Sequence, residues 1–115
     1  DELELIKGAL LHLSDRVNVD VVFTCGGTGL GPRDVTPEAT EAVVDRRAPG
    51  LPEAMRWASL AKTPTAMLSR AVAGVRGNTL IINLPGSPRG ARECLEVVWP
   101  VVGHALEMIA GRGHQ

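Results

Sequence analysis

The chain has 115 residues, 44% of them hydrophobic and 22% charged, with a formal net charge of −1. That length supports one globular domain over 1–115 with a core of its own, and the near-neutral balance supplies no long-range attraction for nucleic acid or an anionic membrane. No apolar run approaches the roughly 20 residues that span a bilayer, and Cys25 and Cys94, without CxxC spacing, read as reduced thiols of a cytoplasmic protein, Cys25 as a buried, inert one.

Asp1 opens a helical pattern at once, with Leu3, Leu5, Ile6, Leu10, Leu11 and Leu13 as its apolar stripe, ending near Arg16. Val19 to Thr24 is an apolar run that predicts a strand covered on both faces. After a glycine-rich loop, a helix starts at Pro37 and must stop before Ala48-Pro49-Gly50. Leu51 to Ala61 predicts a further helix with Leu51, Ala54, Met55, Trp57 and Ala58 inward, as core or subunit packing. Thr65 to Ser69 and Ala71 to Val75 read as short extended segments, and Arg76-Gly77-Asn78 turns the chain into a strand, Thr79 to Leu84. Ser87 then caps a last helix with Pro88 at its first position, running to Ile109 with a bend near Pro100 and a frayed tail over Gly111–Gln115. Strands alternating with helices predict a three-layer α/β sandwich around a mainly parallel sheet.

In such sheets ligands gather beyond the carboxyl ends of the strands, the position of both the Gly26-Gly27-Thr28-Gly29 loop and the Pro85-Gly86-Ser87 turn. Glycines let backbone N–H groups close on phosphate oxygens. Asp34 adds a carboxylate suited to the divalent cation that accompanies a nucleotide. The loop is neither a Walker A sequence nor a full GxGxxG fingerprint. With Thr36 as N-cap, Pro37 at the first helical position and Glu38 in the first turn, it also suits a plain βα turn without any ligand.

The string Cys25-Gly26-Gly27-Thr28-Gly29-Leu30-Gly31-Pro32-Arg33-Asp34-Val35-Thr36-Pro37-Glu38 resembles the signature of the molybdopterin adenylyltransferase family, bacterial enzymes and gephyrin-type G domains. Further landmarks are Ala48-Pro49-Gly50, Met67-Leu68-Ser69-Arg70, Gly74-Val75-Arg76-Gly77 and Thr79 through Ser87, so that the resemblance covers nearly the whole chain. It implies the molybdopterin-binding fold, lacking here a leading strand and helix, so that the expected domain is N-terminally incomplete. It also implies a homotrimer and ATP and molybdopterin as substrates. The pterin's terminal phosphate attacks the α-phosphate of ATP, giving adenylyl-molybdopterin and pyrophosphate.

By the same resemblance Asp1 and Asp34 are the catalytic carboxylates, Asp34 the Mg²⁺ ligand, and Ser69 and Asn83 lie near the pterin, with Gly26, Gly27, Thr28, Gly29, Pro85, Gly86 and Ser87 completing the substrate site. The alternatives are an ordinary first-turn acid at Asp1, a turn or cap residue at Asp34, and strand-end hydrogen-bonders at Ser69 and Asn83. Arg33, Lys62, Arg70 and Arg76 read first as solvated or paired. No His, Cys and Asp spacing builds a zinc site around His12, His104 or His114, and no nucleophile set supports covalent catalysis. A molybdenum insertase is a functional partner for such an enzyme. An insertase-related domain, or a catalytically silent molybdopterin-binding or oligomerising module, would share the same loop and turn.

Overall fold

A computed structural model describes residues 1–111; the expected tail beyond Gly111 lies outside the described residues. Helix α1 covers Glu2–Leu11 and is extended by a π-helical turn, His12–Val17, which ends at Asn18 in the left-handed conformation (φ 63°). Strand β1 (Val21–Cys25) precedes the glycine loop and helix α2 (Thr36–Val43), then a two-residue strand β2 (Arg46–Arg47) and helix α3 (Gly50–Leu60). A 3₁₀ segment, Pro64–Leu68, leads to strands β3 (Ala73–Arg76) and β4 (Thr79–Leu84), and helix α4 (Pro88–Ile109) closes the chain.

The sheet order is β1-β4-β3-β2. β1 and β4 run parallel, from Val21 opposite Leu80 to Cys25 opposite Leu84, whereas β3 pairs antiparallel with both β4 and β2. The sheet is therefore mixed. Only Gly77 and Asn78 separate β3 from β4, and so short a connection can make only a hairpin.

β4 is the central buried strand, and its side chains alternate between two cores. Leu80, Ile82 and Leu84 face Met55 of α3 and Cys94, Val98 and Val102 of α4. Ile81 faces Leu10 of α1, Val22 of β1 and Val43 of α2. Three layers follow directly from this period of two.

Several expectations are corrected. β1 is an edge strand in which only Val22 is buried, so Cys25 at its end is exposed rather than buried. Residues 65–68 form the 3₁₀ turn instead of an extended segment, started by Pro64 after Thr63, whose hydroxyl accepts from the Thr65 N–H. On α3 the buried side chains are Pro52 and Met55, while Ala54 is exposed and Trp57 is 80% exposed. Leu5 of α1 also faces outward. As expected, by contrast, α4 runs through Pro100 to Ile109, with Pro100 on its exposed side.

Candidate functional site

Because β1 and β4 are parallel, the loops that follow them leave the same edge of the sheet. The Gly26 N–H donates to the Leu84 carbonyl (2.9 Å), which joins the two loops at their roots. Beyond that bond the backbones nearly touch: a Cβ on Gly86 would lie 3.3 Å from the Gly26 Cα. At Gly86 the close approach favours glycine, and at Gly26 the positive φ of 97° does. Gly27 has φ +71°, and a Cβ there would fall 2.3 Å from the Thr36 hydroxyl. Thr36 thus buttresses the loop and forms the first residue of α2, with no side-chain cap bond, in place of the expected N-cap. Ser87 does cap α4, accepting from the Gly90 N–H at 3.0 Å, with Pro88 following.

The two loops form one wall of a cleft of about 440 Å³. Of the residues predicted from sequence, Thr28, Gly29, Ser69, Asn83, Pro85 and Ser87 line it. Gly26, Gly27 and Gly86 do not line it, but their contacts with one another and with Thr36 hold the two loops. α3 and α4 supply the opposite side through Met55, Arg56, Ser59, Glu93 and Cys94, none of which the sequence marked as site residues. The cleft falls within the size range of small-molecule sites, and its mix of apolar side chains with a few polar groups suits a heterocycle carrying polar edges.

The amides of Gly27, Thr28, Gly29 and Leu30 have no hydrogen-bond acceptor among the described residues, and neither do those of Gly86 and Ser87. Such a set of unpaired donors at one sheet edge is suited to an anion.

Asn83 is fully buried and fully engaged. Its Nδ2 donates to Thr24 Oγ1 (2.9 Å) and Thr40 Oγ1 (3.0 Å), and its Oδ1 accepts from the Val72 N–H (3.1 Å). It borders the cleft, yet its amide holds β1, β4 and α2 together. Ser69 keeps more freedom: its Oγ accepts from the Ala71 N–H (3.2 Å), leaving the hydroxyl proton for the cleft. Arg56 fixes this segment by donating to the Ser69 and Ala71 carbonyls.

Asp34 does not line the main cleft. Its Oδ2 accepts from the Gly31 N–H (3.0 Å) while its own N–H donates to the Gly31 carbonyl (3.0 Å), a closed turn inside the loop. Gly29 and Gly31 make room for this carboxylate, since a Cβ on either would stand 2.9 or 3.0 Å from Oδ2. Oδ1 has no hydrogen-bond partner among the described residues and could face a cation. Asp1 caps α1 by accepting from the Glu4 N–H (3.0 Å) and shares a second cleft with Pro32, Arg33 and Val35, on either side of Asp34. Among the described residues no group of three or more His, Cys, Asp or Glu side chains could hold a metal alone. A cation at Asp34 would take its remaining ligands from substrate oxygens and water, the usual state of Mg²⁺ beside phosphates.

Of the four cations read as solvated or paired, three are paired, and Arg33 makes no ion pair among the described residues. Arg70 meets Glu38, Arg76 meets Asp15 in two hydrogen bonds of 2.9 and 2.8 Å, and Lys62 meets Glu93 at 3.4 Å. The Arg70 hydrogen bond holds the Glu38 carboxyl below its ordinary range, and that of Arg76 does the same for Asp15. At Glu93, burial pushes the carboxyl up, but hydrogen bonds from Arg89 and Lys62 outweigh it and bring it down.

Among known proteins, the family model described as a probable molybdopterin binding domain matches residues 1–104. The chain is 50% identical over 111 residues to a molybdopterin adenylyltransferase of Helicobacter pylori, covering 96% of this chain and 63% of that protein. It is 47% identical over 106 residues to the Escherichia coli K12 protein of the same name, covering 92% and 54%. The chain thus spans little more than half the length of these curated relatives. The crystal structure of the molybdopterin biosynthesis enzyme MoaB from Thermus thermophilus superposes with a TM-score of 0.89 at 57% identity, over 98% of this chain and 71% of that one.

Proposed function

Since the chain belongs to the family of probable molybdopterin-binding domains, we propose that it is the substrate-binding domain of an enzyme of molybdenum cofactor biosynthesis that adenylylates molybdopterin. In this reaction the terminal phosphate of the pterin attacks the α-phosphate of ATP, a new phosphorus–oxygen bond forms, the α–β bond breaks and pyrophosphate leaves. The single observation that carries the reading is the placement of two anion-ready loops, 26–31 and 85–87, on one edge of a cleft sized for a heterocycle. The kinship with proteins named molybdopterin adenylyltransferase supports the choice of substrates.

Each residue then has a defined task. The amides of the glycine loop and the Pro-Gly turn receive phosphate oxygens, and Ser69 donates to the pterin's polar edge. Asn83 sets the cleft floor through its buried hydrogen bonds, so its task is to position the site more than to touch the substrate. Asp34 Oδ1 would hold Mg²⁺, which when bound offsets the charge that accumulates as phosphates converge. Asp1, beside the Arg33 flank of the loop, contributes the second carboxylate.

The protein is proposed to act in the cytoplasm as a homotrimer and to pass its product to a molybdenum insertase. No helix among the described residues is long and apolar enough to cross a membrane. Incubation of the intact protein with molybdopterin and Mg-ATP, followed by chromatography of the pterin and assay of pyrophosphate, should give both products in equal amounts. Molybdopterin binding without pyrophosphate release would instead identify an insertase-related or catalytically silent domain.

A further inference from the structure

Arg70 makes more contacts with the glycine loop than any ion pair requires. Its main-chain N–H donates to the Thr28 carbonyl (2.8 Å), its Nε to the Gly29 carbonyl (2.7 Å), its Nη2 to the Asp34 carbonyl and its Nη1 to the Glu38 carboxylate. One residue therefore grips the loop at both ends and at the helix that follows it.

The peptide unit is planar and trans, so its C=O and N–H point in opposite directions. The Arg70 main chain fixes the Thr28 carbonyl and its guanidinium fixes those of Gly29 and Asp34, which turns the N–H groups of Gly29, Leu30 and Val35 away from Arg70. The Gly29 and Leu30 amides are among those with no acceptor in the described residues. A glycine-rich stretch without such a grip would sample many peptide orientations, and an anion would have to select one of them at an entropic cost.

We propose that Arg70 is a positioning residue that presets the amides of Gly29 and Leu30 for a phosphate group of the substrate, without touching that phosphate itself. The proposal depends on the adenylylation reading only for the identity of the anion. Its three side-chain acceptors, separated in space, match the fork of a guanidinium. A lysine ammonium is a single point donor and cannot reach all of them together.

The test uses pyrophosphate as probe on the intact protein, with binding followed by the NMR shifts of the Gly29 and Leu30 amides. In the wild type these two amides should shift in a saturable way; no response at either would overturn the proposal. Arg70→Lys should weaken pyrophosphate at least tenfold with the Tm close to wild type, whereas Glu38→Gln, which leaves the carbonyl bonds intact, should stay within about threefold. Equal affinity in Arg70→Lys and wild type would overturn it. If Arg70→Lys fails to fold, the wild type still decides, because the Arg70 Nε–H must be protected from solvent exchange, and an unprotected signal refutes the grip. Pyrophosphate binding that obeys these expectations in a protein that never adenylylates molybdopterin would sink the proposed reaction and leave the role of Arg70 standing.

Discussion

Asp34 divides its two oxygens between structure and chemistry, and that division can be measured. Oδ2 closes the turn on the Gly31 N–H, and the side-chain carbonyl of an asparagine can accept the same bond. Asp34→Asn should therefore change stability by no more than about 0.5 kcal/mol while losing a hundredfold or more in adenylylation rate, which is about 2.7 kcal/mol of barrier. Melting and turnover measured on one preparation decide it, and normal turnover with early melting would reduce Asp34 to a turn residue. Gly29→Ala approaches the same carboxylate from the other side. Its Cβ would meet only the Asp34 carboxylate, Oδ2 at 2.9 Å and Cγ at 3.7 Å, and that side chain can swing aside. The expected result is a folded protein with a displaced carboxylate and a slower rate, read by the same pair of assays. Gly27→Val is a different kind of substitution, because a positive φ and the 2.3 Å approach to Thr36 strain the fold as well as the site.

At the scale of elements, the site stands on hydrogen bonds between segments far apart in sequence. Asn83 joins β4 to Thr24 on β1, to Thr40 on α2 and to the main chain at Val72. Asn83→Leu leaves those buried partners unsatisfied, and unfolding by denaturant should show a loss of about 2–5 kcal/mol. A loss below 1 kcal/mol would mean that the neighbours find substitutes. This hub also explains what was legible in the sequence. β4 was readable from Thr79 to Leu84 because it is apolar and bounded by turn residues, and the anion-ready loops were readable because glycine and proline mark them. Asn83 was readable as polar and near the site, but not as fully engaged, since its partners lie 11 to 59 residues away. The far wall of the cleft was hidden for a similar reason. Met55, Ser59 and Cys94 carry no motif, and only the packing of α3 against α4 makes them neighbours. β2 has two exposed arginines and no apolar alternation, so nothing in its residues announces a strand.

At the scale of the whole molecule, Trp57 and Trp99 are 80% and 59% exposed, an unusual placement for the largest apolar side chains of a domain. The expected homotrimer would bury such surface, and light scattering on the intact protein should give three times the chain mass; a monomer at micromolar concentration rejects it. Long-range ion pairs give a second global property, stability against acid. Asp15 on the π-helical turn pairs with Arg76 at the end of β3, and Glu38 on α2 pairs with Arg70. Both carboxyls titrate below their ordinary values because of those hydrogen bonds. A carboxylate with a depressed folded-state value stabilises the fold fully above its unfolded value, near pH 4, and loses that contribution as pH falls through the lower folded value. The Tm of the wild type should therefore hold between pH 7 and 5 and fall steadily below about 4. Asp15→Asn should melt earlier than wild type at pH 7, but the two curves should converge as pH falls through the depressed folded-state value of the wild-type carboxyl. Added salt should narrow the gap at pH 7, because the pair is partly exposed and screened. A gap that stays unchanged down to the most acidic pH at which the protein is still folded would assign the loss to packing around Asp15 rather than to its charge.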